Sequence, residues 1–453
     1  MSLVQVTVDD KTYEVKKDSL LIDLLIQEDL KVPYFCYHEA LGADGNCRMC
    51  MVEIDGQKRP QIACDTPVKD GMVVFTKGKK LPIEKIRKDI LELELINHPI
   101  DCPICDQAGE CSLQDYYMEY GLHDSHMFGL EKVKHHKHID LGSNVILDQE
   151  RCVLCARCTR FCADVTKTHE LGIVGRGDHA HITTLPGRKL DNPYAMNVVD
   201  LCPVGALTSK DFRFAQRVWF LESDESVCTH CAKNCNIYID HNRLKYKDEK
   251  IYRFRPRKNL NVNGFFICNE GRLSYQNLLN NRLNRPSRAN VDGIFKEALK
   301  NAKNIAILVD ASLFNEEIEL IREFAQKIGA KLYCPQKFYI DEDFEDDMLR
   351  SKYKAANIKT IQNLKLADEM PQNEDLIINF NHSAVLELDT SKVISFQTHK
   401  NTFNTILTIP IATYVENSGS FTNIDGITQY VEKVITLNEP IPTISEWFKR
   451  LEL

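Results

Sequence analysis

The chain has 453 residues, 17 of them cysteine, with 57 Lys plus Arg against 65 Asp plus Glu and a net charge of −8. An acidic balance excludes a general nucleic-acid binder, which needs a basic surface to neutralise phosphate. No apolar run approaches the ~20 residues of a membrane span, and the N-terminal residues lack signal-peptide anatomy, so the expectation is a soluble or peripheral protein whose cysteines serve metals rather than disulfides.

Alternation over residues 3–8 and 12–15 predicts two strands turning at Asp9-Asp10. Ser19 is placed to cap a short helix over 20–27. Strands at 50–54 and 72–76 complete a small α/β unit, closed by a hinge at Gly78-Lys79-Lys80. Ile83, Ile86, Ile90, Leu93 and Ile96 recur at spacings of three and four, which predicts a helix over 82–97, and a second follows over 112–122. Residues 131–138 read as a solvated charged link, with His135, His136 and His138 part of that link rather than a metal site. The stretch 141–215 is loop-rich and broken by Pro and Gly, and a small β unit opens over 219–240. Beyond about residue 290, strands at 305–309, 331–333, 376–380 and 405–409, with a helix at 313–328, predict a parallel α/β layer. No Gly-x-Gly-x-x-Gly fingerprint follows a strand, so neither NADH nor flavin is expected to bind here. Gly175-Arg176-Gly177 is only a partial match in a loop.

All cysteines but Cys334 lie between Cys36 and Cys268, in four groups. The first is Cys36, Cys47, Cys50 and Cys64, a close pair flanked by two widely spaced singles. A structural zinc site normally pairs two close pairs. The observed layout suits a [2Fe–2S] cluster better, with Gly42 to Asn46 supplying amides that face sulfide. The flanks Val32-Pro33-Tyr34-Phe35 and Asp65-Thr66-Pro67-Val68 resemble a ferredoxin domain of the β-grasp type.

The second group is His98-x3-Cys102-x2-Cys105-x5-Cys111. A neutral imidazole completes a set of three thiolates and reduces the negative charge of a cluster, which raises its potential. Zinc held by three cysteines and a histidine is the rival when this segment is read alone. Following a ferredoxin unit, however, the pattern resembles the large (75 kDa, G-type) iron–sulfur subunit of the respiratory NADH–quinone oxidoreductase, complex I, and its relatives in soluble hydrogenases and formate dehydrogenases.

The third group, Cys152-x2-Cys155-x2-Cys158-x3-Cys162, matches the bacterial ferredoxin run, in which the fourth cysteine serves a second cluster. Here Cys202-Pro203 has no Cys-x2-Cys-x2-Cys before it. Cys152, Cys155, Cys158 and Cys202 are therefore expected to hold one [4Fe–4S] cluster, with Cys162 left as a free buried thiol. The fourth group is Cys228, Cys231, Cys235 and Cys268. With Gly271-Arg272 and Arg282-Leu283-x2-Pro286, it resembles the N-terminal iron–sulfur domain of molybdopterin oxidoreductases. In that family a lysine stands two residues after the last cysteine, where this chain has Glu270. Cys334 lies at a strand end, where a small buried side chain is the usual role. The segment from Glu416 through Gly419, Phe421, Asn423 and Gly426 to Gln429 still resembles the catalytic domain of that family, with Ile427 where arginine is usual. It reads as a shortened relic retained as scaffold, and no molybdopterin is expected.

Together the resemblances imply a multidomain α+β protein. It comprises a [2Fe–2S] β-grasp domain (1–78), a helical [4Fe–4S] domain with one histidine and three cysteine ligands (79–140), a [4Fe–4S] ferredoxin-like domain (141–217), a molybdopterin-oxidoreductase-type [4Fe–4S] domain (218–286) and an α/β remnant (287–453). The implied cofactors are one [2Fe–2S] and three [4Fe–4S] clusters. The implied role is electron transfer from a flavin-bearing or other donor subunit towards quinone, with the Cys228 cluster off that path. The implied partners are the other peripheral-arm subunits, on the cytoplasmic face of a bacterial inner membrane. The alternative is a diaphorase-type subunit of a soluble NAD-linked hydrogenase or formate dehydrogenase. A catalytic molybdenum enzyme and a structural zinc protein are more distant readings.

Overall fold

The computed structural model describes residues 2–121, 124–126, 131–242, 250–401 and 404–453; Leu122, the end of the helix expected over 112–122, lies outside them. Two compact units divide the chain, Met1–Trp219 and Phe220–Leu453. Among the described residues no helix is long and apolar enough to cross a membrane.

The first unit opens with strands β1 (Leu3–Val8) and β2 (Lys11–Lys16), an antiparallel hairpin. Val4, Val6 and Val8 point inward against Leu21, Ile22, Leu24 and Leu25 of α1 (Leu21–Gln27). Ser19 does not cap that helix. Its hydroxyl donates to the Lys16 carbonyl at 2.7 Å, closing the turn after β2, and Leu20 takes the cap position instead. Strands β3 (Met51–Ile54), β4 (Gln61–Ile62) and β5 (Met72–Phe75) complete a sheet of order β2-β1-β5-β3-β4, in which β5 runs parallel to β1.

The hinge expected at residues 78–80 is tied down. The Glu53 carboxylate accepts from the amides of Lys79, Lys80 and Leu81 at 2.7–2.8 Å. Gly78 has φ +84°, and a Cβ there would lie 2.2 Å from the Leu81 carbonyl oxygen, so this tight exit requires glycine. Helix α2 (Ile83–Leu95) stops two residues short of the expected end, and α3 (Ser112–Tyr120) follows. Pro99 disfavours helical geometry at the residue before it. The Lys132 ammonium also caps the free carbonyls, donating to Leu95 at 2.7 Å, Ile96 at 3.0 Å and His98 at 2.9 Å. The segment 131–138 is thus docked onto α2 rather than fully solvated.

Short strands β6 (Ile139–Asp140) and β7 (Val145–Leu147) lead to α4 (Arg157–Arg160), which continues as a π turn over Phe161–Val165. A hairpin of β8 (Leu171–Val174) and β9 (His181–Thr184), then α5 (Asn197–Leu201) and β10 (Leu207–Ser209), complete the unit, with β10 pairing β7.

The second unit begins with an antiparallel sheet of β11 (Leu221–Val227), β12 (Asn236–Asn242) and β13 (Ile251–Pro256). Asp240, buried on β12, is neutralised by Arg253 Nε at 2.6 Å and Arg255 Nε at 2.7 Å. After α6 (Asn269–Leu273) and α7 (Val291–Asn301) come β14 (Ile305–Val309), α8 (Asn315–Ile328), β15 (Lys331–Tyr333), α9 (Ile358–Leu364), β16 (Leu376–Phe380), β17 (Val393–Gln397) and β18 (Leu407–Pro410). These five strands form a wholly parallel sheet, β15-β14-β16-β17-β18, whose apolar runs are buried by the helices. Cys334 sits in that core, fully buried. A hairpin, β19 (Gly419–Thr422) and β20 (Thr428–Val431), and α10 (Ile444–Leu451) end the chain.

Arg282 and Glu416, from two motifs far apart in sequence, meet as a buried ion pair in this unit. Arg282 also donates to the Ile411 carbonyl at 3.2 Å, and Glu416 accepts from the Thr413 amide at 2.7 Å. Removing one partner strands the other charge in a dry site, a loss of roughly 3–5 kcal/mol. R282M is expected to lower the stability of the C-terminal unit by that amount in urea unfolding; an unchanged midpoint would mean that the pair contributes nothing.

Candidate metal centres

Cys36 and Cys47 lie on the loop between α1 and β3, Cys50 immediately before β3, and Cys64 in the one-turn helix Ala63–Asp65. All four are buried. Their sulfurs lie close enough to share protons: Cys36 is lowered by Cys47 and Cys64, Cys50 is lowered by Cys64, and Cys47 and Cys64 are raised in return. The Phe35 amide donates to Cys47 Sγ at 3.4 Å. The four side chains expected as one set are therefore gathered at one point of the structure.

His98 lines a cavity with Cys102, Cys105 and Cys111. Burial, then the nearby Arg151 charge, lowers the imidazole to about 4, so the ring is neutral at pH 7. Its Nδ1 is buried with no hydrogen-bond partner. Cys111 stands at the N-terminus of α3 and is pushed up to about 11 by burial, while the amides of Leu113 and Gln114 favour its thiolate. Gly205, in the loop carrying Cys202, also lines this cavity, and a Cβ on it would lie 2.5 Å from Cys105 Sγ.

Cys152, Cys155, Cys158 and Cys202 line a third site. Leu154 and Ala156 adopt left-handed conformations, φ +47° and +61°, which wind the loop around it. The Leu154 amide donates to Cys152 Sγ at 3.4 Å, and the amides of Val204, Ala206 and Leu207 favour the Cys202 thiolate. Cys162 does not line this cavity. It is fully buried in the π turn and pushed up to about 12 by burial and by Glu170.

In the second unit Cys228 and Cys231 follow β11, Cys235 precedes β12, and Cys268 caps α6 by accepting from the Gly271 amide at 3.3 Å. A Cβ on Gly271 would lie 3.0 Å from Cys228 Sγ and 3.2 Å from Cys268 Sγ, so these two sulfurs converge on one glycine. Between Cys231 and Cys235, Asn234 is fully buried with neither Nδ2 nor Oδ1 partnered.

Among the described residues, no group of three or more His, Cys, Asp or Glu is closed tightly enough to cage a single metal ion. The donor chemistry fits iron–sulfur clusters. Four sets of soft ligands, buried or half-buried, each face backbone amides of the kind that stabilise sulfide. The unpartnered atoms of His98 and Asn234 stand at two of them. Burial alone would keep most of these thiols protonated; the iron of a bound cluster would take the place of the proton.

Several contributing residues carry no spacing signal. Arg160, on α4, donates to the carbonyls of Leu41 at 3.0 Å, Gly42 at 3.1 Å and also Cys36, clasping the first loop against the third set. The Tyr116 hydroxyl, on α3, accepts from the Tyr34 amide at 3.0 Å and donates to its carbonyl at 3.2 Å. Arg217 donates to the carbonyls of Cys105 and Pro103, each at 2.6 Å.

Comparison with known families agrees with this geometry. Residues 2–79 match the 2Fe-2S iron-sulfur cluster binding domain, and 87–126 the NADH-ubiquinone oxidoreductase-G iron-sulfur binding region. Residues 142–208 match the NADH-quinone oxidoreductase subunit 3 ferredoxin-like domain, and 221–280 the molybdopterin oxidoreductase Fe4S4 domain. Fold and sites thus define a multidomain iron–sulfur protein of mixed α and β structure.

The chain is a homologue of the G-type, or 75 kDa, subunits of NADH–quinone oxidoreductase. It is 36% identical over 369 residues to the NADH-ubiquinone oxidoreductase 75 kDa subunit of Reclinomonas americana, covering 77% of this chain and 52% of that one. It is 34% identical over 365 residues to the G-type subunit of the NADH-quinone oxidoreductase of Rickettsia conorii, covering 78% and 52%. The chain therefore spans about half the length of these relatives. A solved NAD+-reducing [NiFe]-hydrogenase in the H2-reduced state aligns at 25% identity with a TM-score of 0.39, covering 48% of this chain and 91% of that one.

Gly205→Ala would press a methyl group onto Cys105. Overpacking of this kind typically costs about 1–3 kcal/mol. Thermal unfolding of G205A is expected at a lower Tm than wild type, and an unshifted melt would show that the Cys202 loop yields without strain.

Proposed function

We propose that the chain is an electron-transfer subunit of an NADH–quinone oxidoreductase, conducting single electrons from a donor subunit towards quinone. The observation that carries this reading is the fastening of three ligand sets within one compact unit. Arg160 joins the first to the third, Tyr116 joins the first to the second, and Gly205 brings the Cys202 loop against Cys105.

The first set, Cys36, Cys47, Cys50 and Cys64, is read as a [2Fe–2S] site in a β-grasp domain over 1–78. His98, Cys102, Cys105 and Cys111 are read as a [4Fe–4S] site in 79–140, and Cys152, Cys155, Cys158 and Cys202 as another in 141–217. Cys228, Cys231, Cys235 and Cys268 are read as a third in 218–286, off the main path, with 287–453 as supporting scaffold. Clusters bound there accept and release one electron at a time without net bond making. The chain's residues do the rest. Buried amides stabilise sulfur charge, neutral His98 lightens the charge at its site, and apolar packing excludes water. The partners proposed are other peripheral-arm subunits, with the membrane reached through them on its cytoplasmic face.

Iron analysis and EPR of the reduced, purified full chain test this. The assignment calls for about 14 iron atoms and one [2Fe–2S] with three [4Fe–4S] signals. A colourless, EPR-silent protein would overturn it. His98→Cys exchanges a neutral ligand for a thiolate and is expected to keep its cluster at a lower potential. Cys202→Ser is expected to abolish one signal, whereas Cys162→Ser leaves all of them; the reverse outcome would exchange the roles of these two cysteines.

A further inference from the structure

The fourth set has beside it two cations, Lys354 and Arg350, and among the described residues only Arg350 has a carboxylate within ion-pair distance. Lys354 Nζ donates to His230 Nε2 at 2.8 Å and lies over the Phe344 ring at 3.2 Å from its centroid. Arg350 covers the same ring at 4.1 Å and reaches Glu270 at 3.9 Å. His230 stands between Cys228 and Cys231, and Glu270 two residues after Cys268, so both cations abut the loops that carry the thiols.

Their charge is poorly matched. Among the described residues Lys354 makes no ion pair. Its side-chain hydrogen-bond partner is the His230 imidazole, not a carboxylate. The Arg350 side chain is 15% exposed, and its Nε is buried without a partner. Cations withdrawn from water without an opposing charge are costly. Burial disfavours the Lys354 ammonium, and the charges that oppose that effect belong to Cys231, Asp341, Cys268 and Glu270. Two of those four are thiols of the set itself.

We infer that Lys354, reinforced by Arg350, is a positioning residue that sets the reduction potential of the centre held by Cys228, Cys231, Cys235 and Cys268. Its fixed positive charge favours the reduced, more negative state over the oxidised one. In that reduction one electron arrives from a redox mediator and one iron(III) becomes iron(II); no bond to Lys354 forms or breaks, and no proton is transferred. The inference rests on the reading of these four cysteines as cluster ligands.

An EPR-monitored redox titration of the iron-loaded full chain tests it, with C228S used to identify the signal of this centre. In K354M that signal is expected to titrate at a more negative potential with iron content unchanged and the other signals unmoved, while K354R stays at the wild-type value. An unmoved midpoint in K354M, with its iron in place, overturns the inference. So does loss of the signal in both K354M and K354Q, which would make Lys354 a support for folding. If C228S removes no signal at all, the ligand reading itself fails and the inference falls with it.

Discussion

Bringing four sulfur atoms together out of water is the constraint around which this chain is built. In the third and fourth sets, thiols such as Cys158 and Cys235 are pushed up by burial, and their neighbours in the set push them further. Such a grouping is unfavourable unless the backbone is held rigidly and dipoles or cations oppose the accumulating charge. Both devices recur. Amides are supplied by tight turns, as at Leu154 and Ala156, and by helix starts, as at Cys111 and Cys268. Cations reach in from distant segments. Arg151 is anchored by Asp101 at 2.9 Å and Asp148 at 3.2 Å, and it acts on both His98 and Cys105.

In the proposed role, fastening of this kind would also serve electron transfer. A donor and an acceptor that shift relative to each other lose the fixed separation that hopping needs, so segments carrying different sets benefit from direct ties. The loop of the first set is clasped by Arg160 through three carbonyls, and the Asn46 side chain reaches the Leu154 carbonyl at 3.2 Å. Cys47, His98 and Cys152, one from each of the first three sets, line a common cavity of about 350 Å³. Lys132 and Lys137 extend the same logic: the charged segment at 131–138 caps α2 and pairs with Asp101 and Glu150, fixing the turn on which His98 sits.

How much of this could be read from the sequence depended on the range of the interaction. Cysteine spacing is local, because two thiols on one loop are separated by a fixed short stretch of backbone, so the pairs Cys47/Cys50 and Cys102/Cys105 were legible at once. The parallel layer was legible from continuous apolar runs such as 305–309 and 376–380, although β17, with Ser395 and Gln397 in its run, was missed. Ser19 misled because a hydroxyl serves a preceding carbonyl as well as a following amide. The hinge at residues 78–80 misled because Glu53, 26 or more positions earlier, binds its amides. Arg160, Lys132 and Lys354 left no signal at all, since a long cation finds its partner through the tertiary fold.

The C-terminal motif shows the same principle at the longest range. The loop between Cys231 and Cys235 hangs on residues about 190 positions later: the Gln429 side chain donates to the Asn234 carbonyl at 3.0 Å, and the Ile424 amide to the Ala232 carbonyl at 2.8 Å. Lys233 pairs with Asp425 at 2.8 Å, and the Ala232 amide donates to the Tyr353 carbonyl at 2.9 Å. Arg282 and Glu416 fix the start of the same motif from below, and a Cβ on Gly419 would strike the Phe314 ring. A segment that resembles part of a catalytic domain thus has a present task independent of any pterin. It immobilises the buried, left-handed Asn234 and the two thiols that flank it. That task accounts for Asn423 and Gln429 of the motif, whose side chains donate to the carbonyls of Lys233 and Asn234, and for Ile424 and Asp425 between them.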